Sequence, residues 1–192
     1  MTTPHIRRSE FLHGLDALKE MDAALHAAVV DGMPDAHRHL VDDNSTWLPL
    51  EVDLRVHKHL VDVGGVDLVV DWARHSMRKS LDGPLLNPLL NGTIKLLGLN
   101  PQHLFVISTK VYGMMLHNCG TTRVLERHPN VMRVGFTGLP DVLCDPQYAY
   151  VESFIGTYTA VIERCDMLPD VELAVFDRAG GQAEIVAKWA LR

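Results

Sequence analysis

The chain has 192 residues, 47% hydrophobic and 22% charged, the composition of a globular body long enough to bury a substantial core. Its formal net charge of −6 excludes a generic phosphate-backbone binder, which needs clustered Lys and Arg, so no nucleic-acid partner is expected. "MTTPHIRRSEF" lacks the apolar run of a secretory signal, no segment is apolar enough for a membrane span, and Cys119, Cys144 and Cys165 form no CxxC pair. A cytoplasmic protein with reduced thiols and no membrane partner is expected.

From Ser9 to about Val30, Phe11, Leu15, Leu18, Leu25 and Val29 fall on one helical stripe, which Gly32-Met33-Pro34 ends. Pro49 suits the first position of a second helix, with Glu51, Arg55, Lys58 and Asp62 as its wet stripe up to Gly64-Gly65. A third helix, Val66 to about Leu81, sets Asp67, Asp71, Arg74 and Arg78 against Val69, Val70, Ala73 and Met77. Asp82 is placed to cap "GPLLNPLLNGTIKLLG", which is apolar enough to be central or half of an interface; the segment Leu85–Leu97 is therefore a candidate homodimer surface. Asn100-Pro101 opens a further helix through Leu104, Val111, Met115 and Leu116 to Cys119, with Gly120 as its left-handed terminator.

Beyond Gly120 the period changes. "TTRVLERHPNVMRVGF" predicts two strands around an HPN turn, with Met132, Val134 and Phe136 on one face. Asp145-Pro146 precedes the strongest amphipathic pattern, Val151, Phe154, Ile155, Tyr158, Val161, Ile162 and Cys165. "VELAVFD" and "QAEIVAKW" then form a hairpin around "RAGG", and Ala183, Ile185, Ala187 and Trp189 share its inward face, Trp189 falling near Phe154 or Tyr158. The predicted fold class is α+β: an N-terminal helical half, about 1–120, packed on a C-terminal ββαββ four-stranded antiparallel sheet, about 121–192, in one domain spanning 1–192.

Chemistry is thinly marked. His37-x-His39 and His57-x-His59 diverge on a helix, so neither is a metal-ligand pair, and His57 continues an apolar stripe as a partly buried histidine with one hydrogen bond. His117 reads as a cap at a helix C-terminus, and Cys119 beside it as a thiol that the helix dipole keeps protonated. No nucleophile, base and orienter can be named together, so no catalytic residue is assigned and an enzyme is not expected.

The order of elements, with "STWLPLEVDLRVHKHL", "RKSLDGPLLNPLLNGTIKLLGLNP", "VGFTGLP" and "AEIVAKW", resembles the group containing haem nitric-oxide/oxygen-binding domains and vinyl-reductase-like small-molecule-binding domains. Within that group it is similar to a mostly myxobacterial set of paralogues. The resemblance implies a histidine on the helix before the sheet, for which His103 and His117 are the candidates, and a Tyr-x-Ser-x-Arg triad for the haem propionates. The matching stretch "NVMRVGFTG" has Arg133 alone, so the expectation is no cofactor, haem included. The final hairpin lacks the cysteine cluster of the vinyl-reductase-like relatives, so no zinc site is expected either.

The leading functional expectation is a non-catalytic sensor or regulatory adaptor that holds an apolar small molecule, or meets a regulatory protein partner. Its pocket would lie between the helical half and the sheet, lined by Trp72, Phe105, Tyr112, Met115, Leu116 and Tyr158. The alternatives are an interaction module without ligand, a haem-based gas sensor, and an enzyme of unrecognised class.

Overall fold

A computed structural model describes residues 3–43 and 45–192. Helices and strands follow in the order β1 (His5–Arg7), α1 (Arg8–Met21), α2 (Ala23–Asp31), α3 (Asp35–Asp42), β2 (Trp47–Pro49), α4 (Leu50–Asp82), α5 (Asn87–Leu97), α6 (Pro101–Met115) and β3 (Leu116–His117). The sheet half continues with β4 (Thr121–His128), β5 (Val131–Thr137), α7 (Asp141–Cys144), α8 (Ser153–Glu163), β6 (Met167–Asp177) and β7 (Gln182–Leu191).

The C-terminal sheet is antiparallel throughout, in the order β4-β5-β7-β6, so each hairpin lays its second strand against the other's at the centre. On its inner face Met132, Val134, Phe136, Ala183, Ile185, Ala187 and Trp189 are all buried, as strict alternation requires. Helix α8 crosses this face. The fold is thus α+β, a helical half packed on an antiparallel ββαββ sheet.

Three boundaries differ from expectation, each for a local reason. The first helix breaks at Asp22, whose Oδ1 accepts from the Ala24 and Leu25 amides and so starts α2. Helix α3 follows Pro34 where no element was predicted. The parting of two helices expected at Gly64-Gly65 is present as a kink in α4, where Gly65 takes φ +70°. Asp82 is not a cap, since α5 starts at Asn87 after Leu86.

A second sheet, β2-β1-β3, clips the chain start between two distant segments, pairing Ile6 with Leu48 and with Leu116. This pairing ends α6 at Met115. His117 therefore lies on a strand and not at a helix terminus, and Gly120, at φ +87°, turns the chain from β3 into β4 without closing a helix.

Candidate functional site

The two halves meet around a partly open cavity of about 160 Å³. Helix α4 contributes Trp72, Ala73, Met77 and Leu81; α6 contributes Leu104, Ile107, Val111, Tyr112 and Met115; α8 contributes Phe154, Tyr158 and Val161; and β5 contributes Phe136. The aromatic wall is fixed by its own packing. Phe136 stacks on Phe154 with centroids 4.6 Å apart, Tyr150 meets Phe154 edge-on at 5.8 Å, and Trp72 donates its indole N–H to the Gly14 carbonyl at 2.8 Å, tying α1 to α4.

Of the six residues expected to line such a space, Trp72, Tyr112, Met115, Leu116 and Tyr158 do so. Phe105 does not. It is fully buried one step around α6, facing the sheet, where its ring lies 4.8 Å from Tyr158 and 5.9 Å from Trp189. The expected aromatic neighbour of Trp189 was Phe154 or Tyr158 on α8; its aromatic pair is Phe105 on α6.

The cavity also has a polar side, which the sequence reading did not identify. Glu10, Asp53, His57, Ser76 and Ser80 all line it, while no Lys or Arg does. Asp53 and His57 are 4% and 2% exposed, one helical turn apart, with Asp53 Oδ2 3.6 Å from His57 Nε2. Burial pushes the Asp53 carboxyl up to about 7. It pushes the His57 imidazole down to about 4, against the opposing pull of the Tyr148 carbonyl 3.0 Å from Nδ1. Between about pH 4 and 7 the pair is uncharged, an acid keeping its proton beside a base that has none. Glu10 presents a buried Oε2 that has no hydrogen-bond partner.

The other flagged groups lie elsewhere. His117 is exposed and stacks on Trp47 at 3.8 Å, so its expected helix-capping role is replaced by an aromatic contact across the small sheet. His103 sits in the first turn of α6, outside the cavity lining, with a buried Nδ1 that finds no partner. Cys119 is buried at the turn after β3, and burial, not a helix dipole, raises its thiol to about 12. Tyr112 donates its hydroxyl to the Cys119 carbonyl at 2.7 Å and thereby ties α6 to that turn. Arg133 points to the outer face of the sheet, where it pairs with Glu184 at 2.9 Å and Glu126 at 3.6 Å. It does not reach the cavity. Among the described residues no three His, Cys, Asp or Glu side chains gather as a metal site, and no helix is long and apolar enough to cross a membrane.

No protein-family model matches the sequence, and neither does any curated protein. Solved structures do match. An H-NOX point mutant from K. algicida, described as Fe(II) unliganded, superposes with a TM-score of 0.66 at 12% identity over 96% of this chain and 97% of that one. An H-NOX mutant from T. tengcongensis gives 0.62 at 10% identity over 96% and 97%. A third match, solved to probe haem distortion in the H-NOX family, gives 0.61 at 10% identity over 96% and 95%. These matches correct the expectation that no cofactor, haem included, belongs here, because the architecture is one in which haem has been studied.

The chain's own residues fit such a group in part. The apolar, aromatic walls suit a porphyrin face and His57 offers an imidazole, whereas the polar side carries carboxylates where propionates would need cations. Over nearly its whole length, this chain has the H-NOX fold.

Proposed function

We propose that the protein is a non-catalytic, haem-based sensor domain whose cofactor seats between α4, α6 and α8. The observation that carries this reading is the aromatic-walled cavity at the meeting of the helical half and the sheet, in a chain of H-NOX fold, with an imidazole inside it. Haem would supply an iron able to bind a diatomic ligand. The chain would supply the rest: Trp72, Tyr112, Phe136 and Phe154 would exclude water from the porphyrin faces, and His57 would bring an imidazole to the α4 wall beside Tyr150.

A cavity of about 160 Å³ is below the roughly 300–1,000 Å³ of ligand pockets, so seating a porphyrin requires a wall to move. Helix α5 is that wall, because it packs chiefly on α4 and α6 and lends the cavity Leu89 and Leu90. The finer kinship with the myxobacterial paralogues and the vinyl-reductase-like domains belongs to the same proposal. Titration of the purified chain with hemin, read by absorbance, tests it. A saturable one-to-one Soret band that sharpens on reduction is expected, and no Soret shift relative to free hemin would end the haem reading.

A second reading rests on a separate observation. Leu96 is 84% exposed, with Leu97 and Leu99 also exposed beside it. On this reading the chain meets a second copy or a regulatory protein through the Leu85–Leu97 segment. Sedimentation of the wild type and Leu96→Asp decides it: a dimer dissociated by the substitution is expected, and a wild-type monomer removes self-association.

A further inference from the structure

We infer that the cavity, with α5 in place, is a site for a small organic cation, an alkyl- or arylammonium ion with one ring or a short chain, whose charge pairs with Glu10 and whose apolar body lies against the aromatic walls. This goes beyond the haem reading and does not rest on it. The space that stands without any wall moving is about 160 Å³, the size class of an engineered apolar cavity of about 150 Å³ that takes up benzene. The lining that suits propionates poorly, with carboxylates and neither Lys nor Arg, defines the charge of a smaller occupant.

Glu10 is held at this wall by its own helix. The buried face of α1 is Glu10, Phe11, Gly14, Ala17 and Leu18, so the carboxylate sits on the stripe that packs inward. Gly14 brings α1 so close to α4 that an added Cβ would lie 2.8 Å from the Trp72 ring, and this contact fixes Glu10 one turn away. Glu10 is 5% exposed; its Oε1 accepts from the Ser9 hydroxyl at 3.2 Å, and its buried Oε2 has no hydrogen-bond partner among the described residues. The nearest candidate, His13 Nδ1, stands off at 3.7 Å and is hydrogen-bonded with Ser80 Oγ at 3.1 Å. Burial pushes the Glu10 carboxyl up, but the contacts of His13, Ser80 and Ser9 outweigh it and hold the group below its ordinary value, so it is ionised at neutral pH. An ionised oxygen buried without a donor bears its full desolvation cost, and an ammonium N–H supplies the missing bond. Its charged neighbours on the lining do not compete, since Asp53 keeps its proton up to about 7 and His57 has none above about 4. Trp72, Tyr112 and Phe154 border the same space with aromatic rings, which favour a cation over a neutral molecule.

The test uses the full chain at neutral pH with benzylamine as the probe and benzyl alcohol and benzoate as its neutral and anionic counterparts. Affinity is read by isothermal titration calorimetry, and position by nuclear Overhauser contacts from the probe's ring. Benzylamine is expected to bind one-to-one with contacts to Trp72 and Tyr112, about tenfold or more tighter than benzyl alcohol, as a charge-assisted bond to a buried carboxylate gives, and benzoate is expected not to bind. Glu10→Gln should bring benzylamine down to the affinity of benzyl alcohol and leave benzyl alcohol unchanged. If that variant does not fold, by circular dichroism, the three probes on the wild type decide alone. Equal affinity for benzylamine and benzyl alcohol would overturn the inference, as would contacts that place benzylamine outside the cavity or no binding of any probe at millimolar concentration. A chain that takes up hemin but not benzylamine keeps the haem reading and loses this one; a chain that takes up benzylamine but not hemin does the reverse.

Discussion

Two sides of helix α4 are packed in different ways. On one side Gly156 of α8 brings its backbone against Val70 and Arg74 so closely that an added Cβ would run into the Val70 carbonyl oxygen, and Glu163 clasps both Arg74 and Arg78. On the other side Trp72, Met77 and Leu81 face the cavity, across which α5 carries Leu89 and Leu90. The first side is a seam with no spare volume, and the second keeps space in reserve. Stability and ligand access are thereby assigned to opposite faces of one helix, since tight interiors resist change in volume and loosely packed elements can shift.

The largest expected effect lies in the sheet core behind the tight seam. Trp189→Ala removes a buried indole from the stack with Phe105 and should cost about 3–5 kcal/mol, read as a lowered urea midpoint. A midpoint within error of wild type would show that this core is no tighter than the cavity side. Gly156→Ala tests the seam itself and should cost about 1–3 kcal/mol through overpacking against the α4 backbone.

The cavity side answers to pH. Asp53 keeps its proton up to about 7 when folded, against an ordinary 3.8, so the stability it contributes falls as pH rises across that window. His57 loses its proton near 4 when folded, against an ordinary 6.5, so the stability it contributes is lost as pH falls through the window between. The two slopes oppose each other. Asp53→Asn should expose the His57 slope, giving a variant whose urea midpoint, relative to wild type, climbs as pH is raised from about 4 to 7. A difference curve flat with pH would mean that the buried acid is not held protonated.

The smallest effect has the opposite sign from the seam. Gly92→Ala in α5 should stabilise by about 0.5–1 kcal/mol, because a helical glycine gains propensity where its Cβ meets nothing. If it destabilises as much as Gly156→Ala, α5 is packed as tightly at Gly92 as α8 is at Gly156, and the contrast between the two helices fails.

The main helices and the four-stranded sheet follow from local sequence pattern. Period-two runs, the HPN and RAGG turns, and the stripe Val151–Cys165 depend on contacts between near neighbours, so ββαββ, the inward face of β7 and the helical first half were all legible. Even Asp22 before Ala23 and Pro34 before Asp35 were local signals that could have placed the starts of α2 and α3.

Tertiary structure alone decided the small sheet and the site. His5–Arg7, Trp47–Pro49 and Leu116–His117 are too short to show a period, and they become strands only because the fold brings them side by side; that pairing moved His117 off its helix. The sequence placed His57 on an apolar stripe as a partly buried histidine with one hydrogen bond; the structure buries it fully and supplies that bond through the Tyr148 carbonyl. That its other nitrogen stands at a cavity wall beside Asp53 could not be read from the chain. A stripe says which residues leave water, but only the meeting of three helices and a sheet says whether they fill the space they enclose.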